Sequence, residues 1–169
     1  MKNLILSFAV FSLLVGCSSQ DDQKAREQAN IELVKNYVKA VEELDFEAMG
    51  SFLDEKYMGL GPSFGDTIYR AAAIENWKNN VENLYEKIKY NKSKFVAVTI
   101  AEGDNKGEWV ANWAELKIKF KGEEKEVTIW ANVNYMIENG KIARSLTFYN
   151  EADALRQLGY LIVPPDAVK

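Results

Sequence analysis

The chain has 169 residues, a formal net charge of −4, one cysteine and no histidine. No Ser-His-Asp triad, Cys-His pair, histidine general base or histidine-ligated zinc can be assembled from it, and its mildly acidic, interleaved charge carries no basic stripe for nucleic acid. Apolar content of 47% suits one globular domain with enough chain for a real core, and nothing in the sequence calls for a cofactor or a metal.

Lys2 precedes an apolar run at residues 4–15. The run is shorter than the roughly 20 residues of a helical membrane span. It closes in Leu14-Val15-Gly16-Cys17, and that order describes a secretory signal. A cysteine directly after Val-Gly resembles the lipobox of bacterial lipoproteins. The resemblance implies cleavage before Cys17 and its acylation, with palmitate among the expected chains. Two or more chains anchor stably where one is marginal. The bland alternative is an ordinary cleaved signal with a stray cysteine. Ser18, rather than an aspartate, implies the outer membrane of a Gram-negative envelope, facing the periplasm or the surface. The expected division is a leader at 1–16, a flexible tether at 17–24, a domain at 25–160 and a tail at 161–169.

Val34, Tyr37, Val38, Val41 and Leu44 recur at helical spacing and predict an amphipathic helix over 25–43. Asp45 then caps a short helix ending near Phe52. Residues 59–63 form a loop with Gly and Pro breakers. Asp66 or Thr67 is read as the cap of a third helix, its buried stripe running Ile74, Trp77, Val81, Leu84, Tyr85, Ile88. Beyond Lys94 the pattern turns β-like, with strands at 95–100, 109–120, 127–137 and 142–149. Asn150 caps a last short helix that stops at Gly159.

Two turns set the register. Gly122-Glu123 reads as a type II′ turn and pairs Ile118 with Val127, Leu116 with Ile129, Ala114 with Ala131 and Asn112 with Val133. Asn139-Gly140, a type I′ signal, pairs Glu138 with Lys141, Tyr135 with Arg144, Val133 with Leu146 and Ala131 with Phe148. One face is then aliphatic: Leu116, Ile118, Ile129, Val133, Leu146, Phe148. The other mixes rings with polar tips: Trp109, Trp113, Glu115, Trp130, Asn132, Asn134, Ser145, Thr147, Tyr149. Apolar rings with a few convergent polar groups suit a small-molecule cavity; tryptophans serving only as core, with locally satisfied amides, are the plain alternative.

Helices first, then an antiparallel meander, resembles the nuclear transport factor 2-like fold and, within it, SnoaL-like or ketosteroid-isomerase-like domains. The matching stretches are Asn36-Tyr37-Val38, Asp45-Phe46-Glu47-Ala48, the Gly61-Pro62 loop, Ala73-Ile74, Asn139-Gly140-Lys141-Ile142 and Phe148-Tyr149-Asn150. An α+β, cone-shaped fold is therefore expected, with three N-terminal helices over a curved sheet and a short C-terminal helix. Patterning alone puts the aliphatic face under the helices. The resemblance implies the opposite, a pocket on the mixed face holding Asn132, Asn134, Ser145, Thr147 and Tyr149, with the aliphatic face free for a homodimer.

The resemblance also implies that isomerase chemistry is absent. It places the oxyanion tyrosine at Tyr37, the second donor at Asn132 and the carboxylate base at Gly61, which cannot accept a proton. The SnoaL-type acid position is Asn150. Glu115, between Trp113 and Trp130, is the substitute candidate for a general base, against a plain role as a solvated charge near Lys117 and Lys119. Three readings follow. The first is a lipid-anchored domain binding a small apolar or aromatic ligand through Tyr37, Trp109, Trp113, Trp130, Asn132, Asn134, Ser145, Thr147 and Tyr149. The second is a cyclase, dehydratase or hydrolase using Glu115 or a tyrosine. The third is a non-catalytic interaction module with its pocket collapsed.

Overall fold

A computed structural model describes residues 15–161, 163 and 164, with side chains from Gln20 onward. The leader before Val15 and most of the tail lie outside the described residues, as does the Cys17 side chain.

The elements are α1 (Val15–Glu42), α2 (Phe46–Phe52), β1 (Leu53–Leu60), β2 (Thr67–Tyr69), α3 (Arg70–Asn83), β3 (Tyr85–Ile100), β4 (Gly107–Phe120), β5 (Glu126–Glu138), β6 (Lys141–Tyr149) and α4 (Glu151–Gln157). The expected α+β architecture is present. Its sheet has six strands in the order β2-β1-β6-β5-β4-β3, two more than the four expected. All neighbours are antiparallel except β1 and β6, which run parallel.

Helix α1 buries Val34, Tyr37, Val38 and Val41, the predicted stripe. It also runs through residues 17–24, where a flexible tether is expected from sequence. Gln20, Gln23 and Lys24 favour helix there, with Ala25 and Arg26 just beyond, and Gln23 donates to Glu27 one turn on. Asp45 caps α2, accepting from the Ala48 N–H at 2.9 Å. Asp45→Ala should therefore lower stability by about 1 kcal/mol, seen as a lower denaturant midpoint. The predicted cap of α3 is corrected. Thr67 lies in β2, and the cap residue is Tyr69, which makes no side-chain cap bond. The third helix also ends earlier than predicted, at Asn83, so Tyr85 and Ile88 of its supposed stripe begin β3.

The β4–β5 register is the predicted one, Ile118 opposite Val127 through Asn112 opposite Val133. The β5–β6 register is not. Glu138 faces Lys141 and Ile137 faces Ile142, but Met136 faces Arg144, leaving Ala143 as a bulge. One inserted residue turns the rest of a strand over. Tyr135 therefore pairs with Ser145, Val133 with Thr147 and Ala131 with Tyr149. Ser145, Thr147 and Tyr149 join the aliphatic face, while Leu146 and Phe148 leave it.

The aliphatic face lies under the helices. Leu116, Ile118, Ile129, Val133 and Tyr135 share one core with Val34, Tyr37 and Val41 of α1. This corrects the arrangement implied by the resemblance, and the reason is energetic: burying contiguous aliphatic area outweighs burying amides that would need partners. The predicted homodimer surface is consequently covered by the chain's own helices.

Candidate functional site

A covered cavity of about 540 Å³ lies between the inner sheet face and α1, α3 and α4. Its floor is Leu116, Ile118, Ile129 and Val133. Trp77 and Leu84 from the α3 side, Tyr85 and Tyr90 from β3, and Leu155 and Leu158 near α4 form the walls. Two asparagines, Asn76 and Asn80, and the Thr147 hydroxyl supply neutral polar points, and Lys121, Glu123 and Glu151 bring charge to the lining.

A second chamber of about 180 Å³ adjoins it, sharing Val41, Asn76, Trp77, Tyr90, Val133 and Thr147 with the first. This chamber is lined by Tyr37 from α1, Tyr57 from β1, Tyr135 from β5 and Ser145 from β6. Tyr57 Oη and Ser145 Oγ share a buried hydrogen bond of 2.7 Å. The rings of Tyr37 and Tyr135 meet edge to face at 5.6 Å. Burial pushes the phenols of Tyr37, Tyr135, Tyr90 and Tyr57 upward, above all by removing water from the phenolate form. Each is thus held protonated, a neutral hydrogen-bond donor. Among the described residues no charged side chain lines this chamber.

Gly61 also lines the chamber. Its own N–H is used, donating to the Asp66 carbonyl at 3.1 Å. The position offers neither a base nor a free donor.

The other predicted site residues divide between the two faces. Tyr37, Ser145, Thr147 and Tyr149 do line the covered space. Trp113 and Trp130 do not: they are 45% and 69% exposed on the outer face, where they edge an open groove with Asn132 and Phe148. Asn134 donates to Asn132, which donates to the Asn112 carbonyl, so these amides satisfy one another. Trp109 is buried at the end of that face and donates to the Asn105 carbonyl. Glu115 opposes Trp130 on the outer face and is ion-paired to Lys92, whose ammonium sits over the Trp130 ring. It does not reach the cavity, which removes it as the general base there. Asn150 is a cap, accepting from the Asp153 N–H.

Sequence reading missed Tyr57, Tyr90, Tyr135 and Asn76, and used Trp77 and Tyr85 only as a helical stripe. Tyr135 carried the available signal, a polar tip in the middle of the aliphatic row of β5.

Six strands, the parallel β1–β6 pair and helices over the inner face decide the architecture. The chain has the nuclear transport factor 2-like fold. Solved structures that share it include an epoxide hydrolase of the LEH-like kind from M. tuberculosis, at TM-score 0.60 and 12% identity over 79% of this chain and 91% of that one. An NTF2-like protein from Burkholderia xenovorans LB400 matches at TM-score 0.60 and 17% identity, covering 79% and 98%. A Shewanella denitrificans protein assigned as a SnoaL-like polyketide cyclase matches at TM-score 0.60 and 11% identity, covering 75% and 94%. No family model and no curated protein matches the sequence. At these identities the likeness is one of fold.

Proposed function

We propose that this domain binds a small, uncharged, largely apolar or aromatic molecule carrying an oxygen acceptor, and that it does so as a lipid-anchored protein of the cell envelope. The observation that carries the reading is the cavity of about 540 Å³, with an aliphatic floor and aromatic and leucine walls, that adjoins a chamber of protonated phenols. An apolar body fits the first part, and a carbonyl or hydroxyl reaches the donors in the second. A charged ligand would lose its hydration without meeting an opposite charge in the chamber. The isomerase reaction needs a carboxylate base, and Gly61 offers none.

Thermal shift and intrinsic fluorescence against steroid, polyketide and aromatic ketone panels test it. A ligand at a hundred times its Kd should stabilise the domain by about 2.7 kcal/mol. Val133→Trp, which fills the floor shared by both chambers, should abolish that response while the outer-face variant Trp130→Ala retains it. A panel that moves neither signal removes the reading. For the anchor, Cys17→Ala should move the protein from the membrane fraction to the soluble one; mass spectrometry of residue 17 reads the acylation directly.

The neutral phenols support a second reading, hydrogen-bond stabilisation of a bound oxygen that gains negative charge during a reaction. Tyr57→Phe would then abolish turnover of a bound ketone or epoxide while leaving its Kd nearly unchanged.

A further inference from the structure

The chain enters the domain at one end of the sheet, and the covered cavity opens at the other. Arg26 and Asn30 of α1 both reach the Glu108 carboxylate, at 3.3 and 2.7 Å. They hold the front of α1 against the start of β4, beside the β3–β4 turn. The end of α1 lies much further along the sheet: Glu42 accepts from the Tyr90 N–H, and Tyr90 pairs with Leu116. Helix α1 thus runs toward the β4–β5 turn, and its N-terminus points away from it.

The cavity opens at that β4–β5 end. Most of its exposed lining lies there, Leu84, Lys121, Tyr149, Glu151, Leu155 and Tyr160, with Asn76 exposed partway along α3, and Lys121 donates to the last carbonyls of α3, Val81 and Glu82. The two ends of the 14-residue strand β4 are about 40 Å apart. Upstream of Arg26 the helix continues, with residues 20–25 exposed. A continuous helix of this kind transmits direction where a polar coil would not.

We propose that α1 is a stiff stalk that turns the cavity mouth away from the bilayer, so that ligand enters and leaves through the aqueous compartment and not from the lipid. The proposal rests on the anchoring of Cys17. If residue 17 is acylated, the β3–β4 turn faces the lipid headgroups and the β4–β5 turn faces outward.

Acylation leaves no other thiol in the chain, so single-cysteine labelling is clean. The full-length chain carrying Asp104→Cys or Glu124→Cys, both at exposed turns, would be purified acylated, labelled with a donor dye and reconstituted on phosphatidylcholine vesicles with a headgroup acceptor. Energy transfer from position 104 should be several-fold greater than from position 124. Insertion of four glycines after Gln23 should equalise the two. Equal transfer from both sites in the uninterrupted chain, or the greater transfer from 124, overturns the stalk while leaving the anchor in place. A chain recovered with an unmodified Cys17 overturns the anchor and the stalk together. Ligand binding in the cavity is measured separately on the soluble Cys17→Ala chain.

Discussion

Raising the pH from about 10 to about 12 should unfold this domain in one cooperative step. Five tyrosines on or near the cavity, Tyr37, Tyr57, Tyr85, Tyr90 and Tyr135, hold their protons more tightly folded than unfolded, in each case chiefly because burial penalises the phenolate. Tyr85 is pushed up to about 12. An unfolded chain loses these protons near pH 10. The phenols' contribution to stability is therefore intact below that pH and falls as pH climbs toward the folded values. A phenol that is still protonated in the folded state while the unfolded chain has lost its proton costs on the order of 1 kcal/mol of stability per pH unit, and several such groups add. A small domain has only about 5–15 kcal/mol to lose. Circular dichroism and phenolate absorbance, followed in one titration, should change together. Phenolate appearing at ordinary pH with the fold intact would show that the chamber is open to water.

The second large effect concerns Gly61. Gly61→Asp should not restore an isomerase base; it should cost about 3 kcal/mol or more of stability. The residue has φ of +89°, and a Cβ there would stand 2.5 Å from the Thr147 carbonyl oxygen. That oxygen belongs to the backbone of β6, and it cannot swing aside as a side-chain tip can. Gly65→Ala supplies the comparison. It too has positive φ, +91°, but nothing lies within 4 Å of its Cβ, so only the backbone penalty of about 1–2 kcal/mol should appear. Gly61→Ala adds the same methyl group as Gly65→Ala, so the difference between those two urea midpoints measures the Cβ collision. A folded Gly61→Asp protein with unchanged midpoint would mean that the β1–β6 junction is looser than its geometry implies.

The parts of this fold that were legible in the sequence were those with one strong pattern. The aliphatic rows of β4 and β5 admit a single register because a slip would expose them, and the capping of α2 by Asp45 and α4 by Asn150 follows from short acceptor side chains. Strand β1 was not legible, since Asp54, Glu55 and Lys56 interrupt its apolar residues and its partner β6 lies far along the chain. Tyr85 and Ile88 continued the spacing of α3 by coincidence, so the helix was drawn too long. At the site, the Asn-Gly turn was read correctly but the bulge at Ala143 was not, because nothing in Ile142-Ala143-Arg144 announces an extra residue. Patterning favoured the aliphatic face as the buried one, and the fold resemblance, placed one residue out, displaced that inference. Tyr57 and Tyr135 stayed hidden as site residues because their hydroxyls meet only in three dimensions.

The pairing of β1 with β6 has a consequence for how the protein is made. Leu53 aligns with Ile142 and Leu60 with Leu146, partners separated by most of the domain. Contacts this distant in sequence are the slowest to form. The chain must emerge through residue 149 before β1 finds its β6 neighbour. Until then the tyrosine chamber has no fourth wall, and the growing chain carries an unpaired strand edge that a chaperone would need to shield.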